Sequence, residues 1–184
     1  HDAGTVSCLQ LRGEYLFAAE GERGVQVYDV ASIANKGVSQ RIITAPVSPL
    51  GQDAHLDTSN ATCIVLPSSQ PIAPERNQGE LMREDNLEQP FHPIYNYAVV
   101  TDSVEGLILF EVNTFADGEP RNNFIERTLS WNPDGILDGA LHATIGGHLL
   151  YIAADAGMVI VDLDEPLEPR LVAVVPMENA RASA

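Results

Sequence analysis

One pattern occurs three times in this chain and restricts the folds that it can adopt. Each copy has a hydrophobic strand, a short loop with an acidic residue, a glycine, and a second hydrophobic strand that ends in an acidic residue. The final acidic residue stands five positions after the glycine in every copy, in the pairs Gly24/Asp29, Gly106/Glu111 and Gly157/Asp162. A repeated all-β unit of this kind is typical of the blades of a β-propeller.

The spacing of the glycines gives the length of the unit. Gly106 and Gly157 are 51 residues apart, whereas Gly24 and Gly106 are 82 residues apart. A proline-rich stretch at 67–93 accounts for the difference, because its removal leaves a spacing of 55 residues. Proline cannot donate a hydrogen bond to a β-ladder, and the stretch has neither helical nor strand periodicity. We therefore interpret it as a loop inserted between the first two strands of the second unit.

The sequence predicts an all-β fold, a propeller-like array of about three four-stranded antiparallel blades in one unit over residues 1–184. Blade 1 covers about 1–47, blade 2 about 60–129 with the inserted loop 67–94, and blade 3 about 139–176. The predicted strands are 5–11, 15–19, 25–30 and 40–44 in blade 1, 61–66, 95–101, 106–112 and 124–129 in blade 2, and 140–145, 149–153, 158–163 and 170–175 in blade 3.

Closure of the ring is a physical problem for such an array. Propellers close with about four to eight blades. Three blades alone would leave sheet faces in water without a partner. We therefore expect the chain to be part of a larger propeller, completed by remaining blades or fused domains of a longer polypeptide or by other chains.

The charge of the chain excludes some partners. The 26 Asp and Glu residues outnumber the 10 Lys and Arg residues, for a formal net charge of −16. Such a chain repels nucleic-acid phosphates and anionic membrane surfaces. No apolar run approaches the roughly 20 residues of a membrane-spanning helix, so membrane insertion is not expected. The few basic residues favour an extracellular, cell-surface or periplasmic location. The chain opens at His1, as a processed protein or an excised fragment might.

The second hydrophobic strand of the pattern resembles the LVIVD repeat family. The resemblance is clearest at 158–162, which reads Met-Val-Ile-Val-Asp, and extends to 24–30, whereas the second copy has Glu111 in place of the aspartate. It implies a β-propeller of a bacterial or archaeal surface or exported protein, sometimes joined to other modules such as multihaem cytochromes. It implies no catalytic residues.

Three side chains stand at matching positions of the predicted first strands. Cys8 and His142 both lie five residues before a turn glycine, and Cys63 lies in the corresponding strand of the second unit. Because first strands line the channel of a propeller, these residues could bind zinc or copper. They could equally be ordinary residues that face a wet channel, and Cys8 and Cys63 could form a disulfide if their Cα atoms lie within reach.

Other candidate sites have weaker patterns. His55 lies between Asp53 and Asp57, but without a nucleophile or a third ligand at fixed spacing. The acid-rich turns at 134–138 and 162–165 lack the spacing of a calcium-binding loop. The acids that end the third strands are expected to cap the following turns. Since no catalytic motif is present, we do not predict an enzyme.

The predicted role is a non-catalytic scaffold that binds a partner protein or domain through its loops. The expected contact surface is the 67–94 insert, with Phe91 and His92, together with Trp131 in a turn at 130–135. No cofactor of its own is predicted. One alternative is a metal-binding or enzymatic propeller that uses the channel-lining Cys and His residues. Another is an accessory module of a multihaem electron-transfer assembly, in which His92 could be an axial ligand to a partner's haem.

Overall fold

The fold is known from a computed structural model that describes residues 5–30, 54–67, 92–115 and 123–180. These residues form three four-stranded antiparallel sheets with almost no helix. Within them, the helical segments are short 3-10 turns at Pro93–Asn96, Asn113–Phe115 and Pro133–Gly135. No helix in these ranges is long and apolar enough to cross a membrane. The predicted all-β class and the three four-stranded sheets are thus confirmed.

Each sheet is a meander in which strands adjacent in sequence are hydrogen-bonded neighbours. Sheet 1 contains β1 (Cys8–Arg12), β2 (Tyr15–Ala19), β3 (Val25–Asp29) and β4 (His55–Leu56). Sheet 2 contains β5 (Ala61–Val65), β6 (Tyr97–Asp102), β7 (Gly106–Glu111) and β8 (Arg127–Trp131). Sheet 3 contains β9 (His142–Gly146), β10 (Leu149–Ala154), β11 (Gly157–Asp162) and β12 (Arg170–Val175).

The fourth strand of sheet 1 differs from the expectation. The predicted strand 40–44 lies outside the described residues, and β3 instead pairs with His55–Leu56, with Val25 opposite Leu56. Sheet 1 therefore extends past residue 47, where we placed the end of the first blade. The pairing buries Leu56 in the core, and a strand of two residues has no periodicity that the sequence could reveal.

Two strands of sheet 2 begin later than predicted. Residues 93–96 form a 3-10 turn that starts at Pro93 and is capped by the ring of His92, so β6 begins at Tyr97. The last strand is Arg127–Trp131 rather than 124–129, with a register shift opposite Leu109 and Phe110. Trp131 is consequently the last residue of a strand, opposite Leu107, and does not lie in the predicted turn.

Sheet 2 is buried on both faces, because its side chains alternate between two cores. Core 1 lies between sheets 1 and 2 and includes Phe17, Val27, Ile64, Val100, Ile108 and Phe110. Core 2 lies between sheets 2 and 3 and includes Cys63, Val99, Leu107, Leu109, Ile152 and Val161. Sheets 1 and 3 each contribute one face to these cores.

The recurring glycine of the sequence pattern has a steric cause. Gly24 and Gly157 have φ of +73° and +111°, a region that other residues rarely adopt. A Cβ atom would lie 2.0 Å from Leu56 O at Gly24 and 2.3 Å from Val175 O at Gly157. The fourth strand of each of these sheets therefore passes so close to the start of the third strand that only glycine fits.

Candidate functional site

The first strands of the three sheets lie side by side. Strand β5 contacts both β1 and β9. The hydroxyl of Thr62 in β5 lies 2.9 Å from Thr101 O of its own sheet and 2.7 Å from Ala140 O, just before β9. The boundaries between neighbouring sheets thus contain polar contacts beside the apolar cores.

A backbone hydrogen bond recurs at these boundaries. Ala61 N–H donates to Gly21 O at 2.9 Å, and Gly139 N–H donates to Ser103 O at 2.8 Å. In both cases the acceptor belongs to the turn between the second and third strands of one sheet. The donor lies at or just before the first strand of the following sheet. The same contact therefore joins sheet 1 to sheet 2 and sheet 2 to sheet 3.

Asp155 occupies the corresponding position of sheet 3. Ser103 N–H and Asp155 N–H donate to equivalent acceptors within their own units, Asn60 O at 3.1 Å and Asp138 O at 3.0 Å. Ser103 O accepts from the following sheet, but no backbone N–H of the described residues donates to Asp155 O. Sheet 3 therefore has the acceptor of a third boundary without its donor.

Asp102 stabilises the central turn, and the sequence did not single it out. Its fully buried carboxylate accepts hydrogen bonds from Asn60 N–H at 2.5 Å, Val104 N–H at 2.8 Å and Glu105 N–H at 2.9 Å. Buried carboxylates need such partners, because an unpaired charge in the interior is costly. A repeated acid in this loop was visible in the sequence, but its contact with Asn60 was not.

The predicted equivalence of Cys8, Cys63 and His142 holds in the strand register. The three residues stand opposite Ala19, Thr101 and Ala153 of their second strands. The Cys8 Sγ atom lies 3.3 Å from Ile64 N, and the Cys63 thiol contacts the backbone of Ala143. Each thiol thus points at the first strand of the following sheet rather than at a common centre.

The structure brings together Cys8 and Cys63 but not His142. The two thiols are in hydrogen-bonding contact, and both are free rather than joined in a disulfide. Within the described ranges, these three residues do not form a group of potential ligand atoms within 4.8 Å of one another. The predicted three-ligand metal site is therefore not assembled in this part of the chain.

The thiol pair shares its proton unequally. The hydrogen bond from Cys63 lowers the pKa of Cys8 to about 6, against the opposing effect of burial, and Ile64 N–H adds to the lowering. The same hydrogen bond, together with burial and the negative charge on Cys8, raises the pKa of Cys63. The pair therefore favours deprotonation of Cys8 over deprotonation of Cys63. Thiolates are the reactive form of cysteine.

His92, His148 and Asp164 form the one group of three potential metal ligands in the residues that the structure describes. His92 Nε2 lies 2.8 Å from Asp164 Oδ1, and the rings of His92 and His148 stack at 5.7 Å between centroids. His92 Nδ1, however, accepts a hydrogen bond from Ile94 N–H at 3.2 Å. Its proton is therefore on Nε2, where it is donated to Asp164, and neither ring nitrogen has a lone pair free for a metal.

The structure places two residues of the predicted contact surface differently from the expectation. His92 is only 2% exposed, so it joins sheet 2 to the β11–β12 connection instead of facing a partner. Trp131 is partly buried and packs against core 2. Phe91 lies outside the described residues, as does most of the 67–94 insert.

The remaining candidates have structural partners. His55 Nε2 lies 2.8 Å from Arg23 O and so joins β4 to the β2–β3 turn. Asp162 caps the turn after β11 by accepting from Asp164 N–H at 2.8 Å, as predicted for the third-strand acids. Glu111 instead accepts from the Asn113 side chain at 2.5 Å.

Comparison with known proteins found no protein-family model and no curated protein sequence that matches this chain. The resemblance to the LVIVD repeat therefore stays a prediction.

Proposed function

We propose that this chain is a non-catalytic scaffold of β-propeller type that binds further sheets through the open faces of its outer sheets. The observation that carries this proposal is the repeated boundary between neighbouring sheets. Sheet 2 makes such a boundary on both sides, whereas sheet 3 has an equivalent backbone acceptor on its second side, and no further sheet follows it in the part of the chain that the structure describes. A stacked array covers its last sheet or leaves apolar surface in water.

The open face of sheet 3 supports this role. Val159 and Val161 point into core 2 and are fully buried, while Met158 and Ile160 alternate with them on the opposite face and are only partly buried. In sheet 2 the corresponding face, with Leu107 and Leu109, is fully buried by sheet 3. An equivalent sheet would bury Met158 and Ile160 in the same way.

The open face of sheet 1 has a similar character. Cys8 points toward the cores, whereas its neighbour Leu9 is 52% exposed and Leu11 is 65% exposed. Two leucines in one strand make a larger apolar surface than the single exposed residues common on proteins. Both ends of the three-sheet array thus offer faces to which another sheet could bind.

The further sheets belong, in this proposal, to remaining blades, fused domains or a partner protein of an extracytoplasmic assembly. The net charge of −16 favours protein partners over nucleic acids. An extracellular, cell-surface or periplasmic location rests on the composition and on the resemblance to the LVIVD repeat, and so does a bacterial or archaeal source.

Light scattering coupled to size-exclusion chromatography tests the proposal. We expect the isolated chain to self-associate as its concentration rises, because the open face of sheet 3 in one copy then covers the open face of sheet 1 in another. The variant Ile160→Glu places a charge on the open face of sheet 3 and should weaken association about tenfold or more, equivalent to at least about 1.4 kcal/mol.

The matched control is Val104→Glu, which adds the same charge at a turn residue that is 62% exposed. This variant should associate like the wild type. A folded wild-type chain that stays monomeric at every concentration would contradict the proposal, and so would an equal effect of the two substitutions.

The two alternative functions stay predictions with tests of their own. Metal binding by the thiol pair predicts a bound zinc or copper ion in elemental analysis and its loss in Cys8→Ser. An accessory role in a multihaem assembly predicts a co-purifying haem protein. The bonded state of both His92 nitrogens argues against that residue as the axial ligand.

A further inference from the structure

We propose that Cys8 and Cys63 are a redox-controlled cross-link that joins sheet 1 to sheet 2 when a small-molecule disulfide oxidises them. This inference is independent of the proposed scaffold role, since it concerns the boundary between two sheets of the same chain. It assigns a modification site to two residues that the repeat alone presents as ordinary first-strand positions.

The geometry places the two sulfur atoms against the same short segment of β5. Cys8 Sγ lies 3.3 Å from Ile64 N and 3.6 Å from Ile64 O, and Cys63 Sγ lies 3.7 Å from the same carbonyl oxygen. Ile64 directly follows Cys63 in β5, so the Cys8 sulfur lies against the backbone next to Cys63. Strands β1 and β5 are packed neighbours, so the Cα atoms have no large distance to close.

The two cysteines differ in access. Cys8 is partly exposed at the start of β1, whereas Cys63 is 2% exposed and belongs to core 2. An oxidant from solvent therefore reaches Cys8 first. Cys8 is also the member of the pair that loses its proton more easily, because its pKa is lowered while that of Cys63 is raised.

The reaction is two thiol–disulfide exchanges with a disulfide such as oxidised glutathione. The Cys8 thiolate attacks one glutathione sulfur, the glutathione disulfide bond breaks, and one glutathione leaves as a thiolate. Cys63 then attacks the Cys8 sulfur of the mixed disulfide, its proton passes to the second glutathione, and that glutathione leaves as a thiol. Relative to the dithiol, the protein loses two protons and two electrons, and one oxidised glutathione becomes two reduced ones.

The first exchange prepares the second. In the reduced pair, Cys63 keeps its proton chiefly because it donates to Cys8 and because the Cys8 charge opposes a second one. The mixed disulfide removes that charge and leaves burial as the remaining opposing effect. Cys63 is therefore easier to deprotonate when its attack is required, and the mixed disulfide should not accumulate.

The experiment incubates the reduced full-length chain with oxidised glutathione at neutral pH and follows it by intact mass, peptide mapping and thermal unfolding. We expect a monomer that has lost two hydrogens, a cross-linked peptide with Cys8 and Cys63, and a higher Tm that reductant reverses. The Tm should rise because the cross-link restricts the unfolded chain. Lasting glutathione adducts, unreacted thiols or cross-links between chains would each overturn the proposal.

Two conservative variants separate the roles of the thiols. Cys63→Ser should stop at a stable glutathione adduct on Cys8, and Cys8→Ser should react at least tenfold more slowly, since a buried thiol remains. Equal reaction of wild type and Cys8→Ser would contradict the order of attack. The readouts are mass and thiol content, so the result is distinct from the association state that tests the scaffold role.

Discussion

At the scale of single residues, the turns between second and third strands depend on a few groups that the rest of the sheet cannot replace. Asp102 supplies one carboxylate to three backbone N–H groups, two in its own turn and one in the segment before β5. The partly exposed Glu105 of the same turn pairs with Arg127 of β8 and accepts from Ser59 N–H at 2.7 Å. One turn thus connects three separate segments of sheet 2.

Replacement of Asp102 by alanine should lower the free energy of unfolding by about 3 kcal/mol, because three backbone N–H groups lose their buried, charged acceptor. Urea unfolding followed by circular dichroism measures the loss. The control is Asp57→Ala, whose side chain is 99% exposed and which should change stability by less than about 0.5 kcal/mol. Similar losses in the two variants would show that the buried carboxylate has no special role.

Glu105 should make a small contribution that depends on pH. The Arg127 guanidinium holds the pKa of Glu105 below its ordinary value in the folded chain. The contribution is therefore present above the unfolded pKa of about 4.3 and is lost as pH falls through the lower folded value. Because the pair is partly exposed, we expect less than about 1 kcal/mol. The stability gap between wild type and Glu105→Gln should close in acid, and a gap that widens there would contradict this assignment.

At the scale of elements, the sequence predicted the strands that have local signals but not a strand that forms only through long-range pairing. Strands such as Tyr15–Ala19 and Arg170–Val175 were predicted to the residue, because runs of apolar residues bounded by turn-forming residues are local features. The strand His55–Leu56 was not, since it exists only through its pairing with β3. For the same reason the sequence located Cys8 and Cys63 at equivalent positions but could not show that their thiols touch.

Two of the predicted contact residues, His92 and Trp131, lie in surroundings that the sequence did not predict, for a related reason. His92 stands beside a proline-rich insert and so was assigned to an exposed loop, yet its partner Asp164 is 72 residues away in sequence. Trp131 was assigned to a turn because Asn132 and Pro133 follow it, but it is the last residue of β8 and pairs with Leu107. Neither of these long-range pairings has a periodic signature.

The glycines of the pattern offer a test at this scale. Gly157→Ala should cost more than about 3 kcal/mol, since the new Cβ would combine a positive φ with a contact of 2.3 Å to Val175 O. Gly147→Ala has a φ of +66° but no atom within 4 Å, so it should cost about 1 kcal/mol. Thermal unfolding of both variants compares the cost of a positive φ alone with the cost of a positive φ combined with the close contact. Equal losses would mean that the approach of β12 does not require the glycine.

At the scale of the whole molecule, the three sheets form a directional array. At each boundary, a turn of one sheet provides the backbone hydrogen-bond acceptor, and the donor lies at or just before the first strand of the next sheet. The two ends of the array are therefore different. Sheet 3 ends with Asp155 O and an apolar face, and sheet 1 begins with exposed leucines on β1. A directional contact of this kind can be repeated until a ring closes.

The most direct test of the scaffold role is a high-resolution experimental structure of the chain at a concentration at which it associates. The account predicts a neighbouring sheet on the Met158 and Ile160 face of sheet 3, with a backbone N–H of that sheet donated to Asp155 O. A structure in which this face contacts only solvent, or in which association uses another surface, would contradict it.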